Sequence, residues 1–215
     1  WISVNSSKPD RKKDFTLLIH STNLWAKNNF NTKKDTVIEQ LLDATSGVTG
    51  KAIYNAKHID VHRWKFANIK KSQKICDLYG GVGLFTLPIS KLTGENGEVH
   101  LIEMDSICIK DASKMFGDIK NIFIHHGKVE QKLGSIKKID TIILDPPRNG
   151  VSKQVINQMI EKKPKSIIYV SCNPSTLARD SKTLLDNKYA LSNIVGLDLF
   201  PMTHHIECVA YFTKI

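Results

Sequence analysis

From residue 74 onward, short apolar segments rich in β-branched residues alternate with amphipathic segments. This alternation is typical of βαβ units and predicts a mostly parallel sheet. The seven predicted strands are Lys74–Tyr79, Glu98–Glu103, Asn121–His125, Ile139–Asp145, Ser166–Ser171, Leu191–Asp198 and His205–Thr213. The helices predicted after the first five strands lie around Leu84–Leu92, Ser106–Phe116, Gln131–Leu133, Lys153–Lys162 and Ser175–Asn187.

The last two predicted strands are separated only by Leu199–His204, which is too short for a crossover helix. They are therefore expected to be antiparallel neighbours. The pattern as a whole predicts an α/β fold with a Rossmann-like, seven-stranded, mostly parallel sheet and an antiparallel last strand.

Residues 1–73 show no comparable alternation. Thr36–Ala44 is predicted to be a helix, because four of its aliphatic residues fall on one face. Asp14–Ile19 is predicted to be a strand, and Asn28–Lys34 a polar loop. We therefore expect an N-terminal segment of undefined fold over residues 1–73 and a separate domain over residues 74–215.

The chain has 215 residues, which allows one substantial domain or one domain plus part of a second. No stretch approaches the roughly 18 apolar residues that a membrane-spanning helix needs, so no membrane association is expected. The sequence begins at Trp1 without an initiator Met or a signal-peptide pattern, and it is therefore expected to be part of a longer protein. Nothing in it indicates an obligate protein partner.

The net charge of +10 favours a polyanionic partner such as RNA, although a generally Lys-rich proteome would produce the same excess. Residues 1–73 hold 13 Lys/Arg and 6 Asp/Glu, against 18 and 15 in the remainder. The excess of positive charge is therefore concentrated in the N-terminal third, where an RNA-facing surface is predicted.

None of the four cysteines is paired at the short spacing of a zinc or iron–sulfur site, so neither a metal nor a cluster is expected. Reduced thiols and a cytoplasmic location are expected. Cys76, Cys108 and Cys208 are interpreted as inert core residues.

A glycine-rich segment follows the first predicted strand, with the sequence Cys-Asp-Leu-Tyr-Gly-Gly-Val-Gly ending at Gly83. Glycines such as Gly81 and Gly83 let a backbone approach a nucleotide at the carboxyl end of a strand, although a tight βα turn is the alternative. Asp77 would face the amino-acid part of a cofactor such as S-adenosylmethionine. Glu103 ends the second strand 20 positions past Gly83 and can accept both ribose hydroxyls. An NAD enzyme would share these features.

The fourth predicted strand ends in Asp145-Pro-Pro-Arg148. Two prolines cannot continue a central strand, so they form a rigid turn that holds Asp145 at the carboxyl edge of the sheet. A carboxylate there can orient a planar base through its ring N–H groups, and Arg148 can steady the site or contact phosphate. A simple strand terminator with a capping Asp is the alternative. Among nucleotide-dependent enzymes, this motif indicates base methylation.

Cys172 lies between the fifth predicted strand and a helix whose N-terminus favours a thiolate. A thiolate that adds to carbon 6 of uracil makes carbon 5 nucleophilic, and a base must later remove the proton on carbon 5. Glu207, an acid in an apolar strand, is the candidate base, and a solvent-facing strand residue is the alternative. His205 lies at i−2 and can orient Glu207, hold RNA or satisfy a backbone group.

These segments together resemble the family of S-adenosylmethionine-dependent RNA uridine-5 methyltransferases, whose catalytic domain residues 74–215 match over their whole length. Seven strands with a terminal antiparallel hairpin fit the Rossmann-like class I methyltransferase sheet better than that of a dinucleotide dehydrogenase. The motifs that carry the resemblance are DLYGGVG, LIEMD, ILDPPRNGV, YVSCNPSTLARD and LFPMTHHIECV.

The resemblance implies that Cys172 is the nucleophile and Glu207 the proton acceptor. It also implies contacts to S-adenosylmethionine at Tyr79, near Leu84, at Glu103 and at Asp145. The substrates of the family are uridines in transfer RNA, notably in the T-loop, and in large-subunit ribosomal RNA.

This chain departs from the family pattern at the edges of the predicted cofactor site. Leu84 replaces a residue that is commonly polar, and Lys128 replaces the Asp of a Gly-Asp step. These departures, together with the unassigned N-terminal third, motivate an alternative, a divergent non-catalytic RNA-binding module with a decayed cofactor pocket. Methylation of a different acceptor, such as cytosine or a small molecule, is a third hypothesis.

Overall fold

The computed structural model describes residues 2–4, 17–19, 25, 29, 32–50, 53–54, 69–197 and 206–215. The chain forms two compact units. One comprises Trp1–Lys65 with Phe200–His204, and the other comprises Phe66–Leu199 with His205–Ile215. The functional division between residues 1–73 and 74–215 stays a prediction.

In the smaller unit, strands β1 (Ile2–Val4) and β2 (Leu17–Ile19) pair antiparallel. Helix α1 spans Lys34–Thr49, so it begins earlier and ends later than the pattern predicted. It continues to Gly50, which adopts φ 66° and ends the helix in the left-handed conformation. Only one of its four predicted core positions, Val37, is buried.

The described part of the larger unit contains seven strands and five α-helices. The strands are β3 (Lys74–Leu78), β4 (Glu98–Glu103), β5 (Ile122–His126), β6 (Thr141–Leu144), β7 (Ser166–Ser171), β8 (Tyr189–Leu197) and β9 (Glu207–Lys214). The helices are α2 (Thr86–Thr93), α3 (Ser106–Phe116), α4 (Val129–Lys132), α5 (Lys153–Lys162) and α6 (Pro174–Asp186), and a 3₁₀ turn (Leu133–Ser135) follows α4.

The strand order of the sheet is β5-β4-β3-β6-β7-β9-β8. All neighbours are parallel except β9, which runs antiparallel to β7 on one side and to β8 on the other. The mostly parallel sheet and the antiparallel pairing of the last two strands are confirmed. The chain winds outward from β3 in one direction and from β6 in the other, which leaves a crevice at the carboxyl ends of these two strands.

Side chains alternate between the two faces of the sheet, and both faces are covered. One core includes Leu78, Leu144 and Tyr169, and the other includes Ile75, Ile143 and Ile168. The central strand β6 is buried throughout, as expected for a parallel strand with both faces covered. The residues that follow these strands are thereby presented at a single edge of the sheet.

The four cysteines are free thiols, and Cys76 and Cys208 are buried. Cys108 is only half-buried on α3, so its predicted core position is wrong. No group of His, Cys, Asp or Glu in the described ranges could hold a metal ion. No helix among those ranges is long and apolar enough to cross a bilayer.

Candidate active site

A cleft of about 680 Å³ opens at the carboxyl ends of β3 and β4. Tyr79, Glu103 and Met104 line it from these two strands, and Lys128 and Pro147 line it from the following loops. Its volume lies within the roughly 300–1,000 Å³ of small-molecule sites. This cleft lies beside the crevice between β3 and β6, the expected ligand position in an open α/β sheet, because its lining includes Tyr79 and Pro147 but neither Gly81 nor Asp145.

The loop after β3 turns sharply through left-handed backbone conformations. Tyr79, Gly81 and Gly83 have φ values of 59°, 55° and 88°. A side chain at Gly83 would overlap the ring of Phe116, so this position needs glycine for space as well as for φ. A Tyr in this region is uncommon, and such strain often accompanies function.

Glu103, at the end of β4, ties the glycine loop to the start of the next loop. Its Oε2 accepts a hydrogen bond from the Gly81 N–H at 3.0 Å. Its Oε1 accepts from the N–H groups of Met104 at 2.6 Å and Asp105 at 2.8 Å. A carboxylate offers about four acceptor positions, so the side chain retains capacity for a hydroxyl donor in the cleft.

Asp77 is completely buried beneath the glycine loop rather than open to the cleft. Its Oδ2 accepts from the Thr86 hydroxyl at 2.6 Å, whereas its Oδ1 has no partner among the described residues. Burial raises the pKa of Asp77 to about 7; the Thr86 bond opposes this shift, and the nearby charge of Asp145 adds to it. The predicted role of Asp77 toward a cofactor stays a prediction.

Because the pKa of Asp77 rises from 3.8 to about 7, folded protein binds a proton that unfolded protein releases, and stability falls as pH rises through this window. The Asp77→Asn variant lacks this loss. We expect its free energy of unfolding, relative to that of the unaltered protein, to increase by about 4 kcal/mol between pH 4 and pH 8. Urea unfolding at both pH values measures this. An equal difference at both would mean that Asp77 ionises normally in the fold.

The loop after β6 is attached to the loop after β7. The main-chain N–H of Asp145 donates to the Leu78 carbonyl at 3.3 Å, which holds Asp145 beside β3. The carbonyl of Arg148 accepts from Asn173 Nδ2 at 3.0 Å and from Thr176 Oγ1 at 3.3 Å. The segment that carries Asp145 and the segment that carries Cys172 therefore form one connected assembly.

The register of β7 and β9 brings Cys172 and Glu207 to the same end of one ladder. The last pair in that ladder is Ser171 opposite Cys208. The same antiparallel register, continued by one residue, sets Cys172 opposite Glu207. Glu207 lies on the same face of β9 as Val209, and Cys172 directly follows the last residue of β7, so the two residues lie at the same end of the sheet.

The electrostatics of this end of the sheet couple its carboxylates. Glu207 is half-buried, and burial raises the pKa of its carboxyl, with a further increase from the negative charge of Asp145. Partial desolvation also raises the pKa of Asp145, which still reaches solvent. An acid with a raised pKa beside a second acid is a common feature of functional sites.

Arg179 and Asp180, two residues of α6 to which the sequence analysis gave no role, form hydrogen bonds with the loop after β6. Asp180 is 2% exposed, and its carboxylate accepts from the Tyr169 hydroxyl at 2.7 Å and the Val151 N–H at 2.9 Å. In the sequence, this role is indicated only by the adjacent Arg-Asp pair in the YVSCNPSTLARD segment. The role depends on contacts with Asn149 and Val151, which lie about 30 positions earlier in the chain.

Three further predicted site residues lie in the loops that follow β3, β5 and β6. The side chain of Leu84 is 75% exposed at the end of the glycine loop, and Arg148 and Lys128 are also exposed. His205 lies outside the described residues, so its predicted role stays a prediction.

A sequence model of the tRNA (uracil-5-)-methyltransferase family matches residues 95–215, which is more than half of the chain. The chain belongs to this family. The resemblance seen in the motifs is thereby confirmed, and the matched residues include the segments that carry Glu103, Asp145, Cys172 and Glu207.

Members of the tRNA (uracil-5-)-methyltransferase family and related proteins differ in their RNA. A 23S rRNA (uracil(1939)-C(5))-methyltransferase of Vibrio parahaemolyticus is 37% identical over 158 residues, which cover 70% of this chain and 35% of that protein. An uncharacterized RNA methyltransferase of Oceanobacillus iheyensis is 30% identical over 227 residues, which cover 98% of this chain and 46% of that protein.

Among solved structures, the tRNA (uracil-54, C5)-methyltransferase of Pyrococcus abyssi in complex with S-adenosyl-L-homocysteine matches with a TM-score of 0.59 and 33% identity. The match covers 68% of this chain and 36% of that one. The predicted class I methyltransferase fold is confirmed. The chain spans between a third and a half of the length of these three proteins.

Proposed function

We propose that this chain is the catalytic part of an RNA methyltransferase that transfers a methyl group from S-adenosylmethionine to carbon 5 of a uridine in tRNA or ribosomal RNA. The observation that carries the proposal is the β7–β9 register, which ends at Ser171 opposite Cys208 and so brings the next residues, Cys172 and Glu207, to the same end of the sheet. The raised pKa of Glu207 and its proximity to Asp145 support it further.

The residues at the carboxyl ends of β3 and β4 fit S-adenosylmethionine by the chemistry of their donors and acceptors. Asp77, which the glycine loop covers, has a carboxylate oxygen without a partner among the described residues, and this oxygen suits an ammonium group at the loop. Glu103 retains acceptor capacity that suits ribose hydroxyls, and Gly81 has open space where a side chain would stand. Tyr79 and the residues near Leu84 would complete this site. When bound, S-adenosylmethionine supplies an electrophilic methyl group on its sulfonium sulfur.

The chain's own residues then divide the chemistry. The Cys172 thiolate forms a bond to carbon 6 of uracil, and the electron pair of the ring double bond makes carbon 5 nucleophilic. Asp145 orients the uracil ring through an N–H group, and Arg148 holds nearby phosphate. After carbon 5 has gained the methyl group, Glu207 takes its proton, the ring double bond re-forms and the bond to Cys172 breaks.

The alternative of a non-catalytic RNA-binding module is not favoured. The family match extends across the segments of both Cys172 and Glu207. Two of the features that motivated the alternative, Leu84 and Lys128, are exposed residues at the margins of the site. Neither blocks the crevice between β3 and β6.

The experiment that tests the proposed function follows tritium from position 5 of the pyrimidine. RNA transcripts of a tRNA and of large-subunit ribosomal RNA are labelled at that position in uridine or in cytidine. We expect release of tritium to water that depends on S-adenosylmethionine and occurs only from the uridine label, because methylation at carbon 5 displaces that hydrogen. Release from the cytidine label, or no release from either RNA, would contradict the proposal.

A further inference from the structure

Helix α6 contacts the loop after β6 along one of its faces. Asn173 and Thr176 donate to the Arg148 carbonyl, and one turn further on Asp180 accepts from the Val151 N–H. These residues follow the i, i+3, i+7 spacing of a helix face. The helix that begins just after Cys172 is therefore hydrogen-bonded to the part of this loop from Arg148 to Val151.

The contact between α6 and this loop centres on the buried carboxylate of Asp180. Asp180 Oδ1 accepts from Arg179 Nε at 2.8 Å and from Arg179 Nη2 at 2.7 Å. The same Nη2 also donates to the carbonyls of Asn149 at 3.0 Å and Val151 at 3.4 Å. All four hydrogen bonds of the Asp180 carboxylate thus involve the turn at 149–151, its Arg partner or the Tyr169 hydroxyl.

The turn at 149–151 packs so closely against Arg179 and Asp180 that only glycine fits at residue 150. Gly150 has φ 75°, and a Cβ there would lie 2.6 Å from Asp180 Oδ2 and 2.7 Å from Arg179 Nη2. Its N–H donates to the Pro147 carbonyl at 2.8 Å, which closes the turn directly after the two prolines. Because these hydrogen bonds fix the loop to α6, the position of the helix determines where Asp145 and Arg148 lie.

We propose that Asp180, acting with Arg179, is a positioning residue that fixes the place of Asp145 relative to Cys172. This inference rests on the proposed function. In this proposal Asp180 acts through the loop rather than directly on the substrate or the cofactor. Since misplacement of reacting groups by about 1 Å can cost about 100-fold in rate, loosening the loop should slow formation of the Cys172 adduct.

The test compares three variants with the unaltered protein. Asp180→Asn removes the negative charge and replaces one of the two acceptor oxygens by an NH2 group, so either the pair with Arg179 or the bonds from Val151 and Tyr169 are lost. Arg179→Lys removes the forked contacts of a side chain that is 57% exposed, and it keeps the proposal testable if Asp180→Asn does not fold. Leu184→Ala, a core substitution on α6 that is remote from the loop, is the matched control for destabilisation alone.

The measurement is the rate of adduct formation with 5-fluorouridine RNA and S-adenosylmethionine, together with amide hydrogen exchange of residues 148–151, which follow the two prolines. We expect Asp180→Asn and Arg179→Lys to form the adduct about 10- to 100-fold more slowly, with faster exchange in the loop and affinity for S-adenosylmethionine within twofold. Leu184→Ala should retain the rate at a temperature where it is folded.

Adduct formation within twofold of the unaltered rate in both loop variants would overturn the proposal. An equal loss in Leu184→Ala would also overturn it, because the effect would then be one of stability. If the unaltered protein forms no adduct, the proposed function fails instead. The exchange comparison would then still decide whether Asp180 holds this loop.

Discussion

Replacing Cys172 by Ala is expected to abolish uridine methylation, with a loss of at least about 10⁴-fold, and to eliminate the covalent adduct with 5-fluorouridine RNA. Carbon 5 of uracil is too weak a nucleophile to react until a thiolate has added to carbon 6. No other cysteine can substitute, because Cys76 and Cys208 are buried and Cys108 lies on α3. Methyl transfer is measured with labelled S-adenosylmethionine, and the adduct by denaturing gel electrophoresis.

The matched control is Cys108→Ala, which removes a half-buried thiol away from the β7–β9 end and should leave methylation unchanged. Binding of S-adenosylmethionine should persist in Cys172→Ala, since this residue is not in the proposed cofactor site. Methylation by the Cys172→Ala variant at an appreciable fraction of the normal rate would remove this thiol from the mechanism.

Replacing Glu207 by Gln is expected to stop the reaction one step later. The methylated adduct with ordinary uridine RNA should accumulate, because the amide cannot accept the proton on carbon 5, and turnover should fall by about 10²- to 10⁴-fold. Burial and the charge of Asp145 raise the pKa of Glu207, so it is ionised, and able to act as a base, only above that raised value. In the unaltered protein, adduct release should therefore accelerate as pH rises through this pKa.

An exposed glutamate on α5 offers the matched control, since Glu161→Gln removes one negative charge at a distance from the site. That variant should neither accumulate adduct nor lose turnover. Loss of methylation in Glu207→Gln without any trapped adduct would mean that Glu207 acts before methyl transfer, or that it only supports the fold.

Much of the larger unit could be predicted from sequence because local signals and tertiary structure agree there. Helices α3, α5 and α6 begin at or within one residue of their predicted starts. At these starts the side chains of Asp105, Ser152 and Asn173 cap the first N–H groups. The apolar runs of β4 and β7 end where polar residues begin, so their bounds are as predicted.

Other features depend on distant parts of the chain and could not be predicted. The insertion of β9 between β7 and β8 sets the register that joins Cys172 to Glu207, whereas the pattern predicted only that the last two strands are neighbours. The burial of Asp77 depends on Thr86 and the fold of the glycine loop. Asp180 can contact the turn at 149–151 only because α6 packs along that turn in the folded protein.

The central claim is that the sulfur of residue 172 bonds to the uracil ring during the reaction. Its most direct test is mass spectrometry of the protein after incubation with 5-fluorouridine RNA and S-adenosylmethionine, followed by proteolysis and nuclease treatment. The account predicts a methylated fluorouridine nucleotide attached to the peptide that contains Cys172. Attachment to a different residue, or tritium-releasing methylation of uridine RNA with no attachment at all, would contradict it.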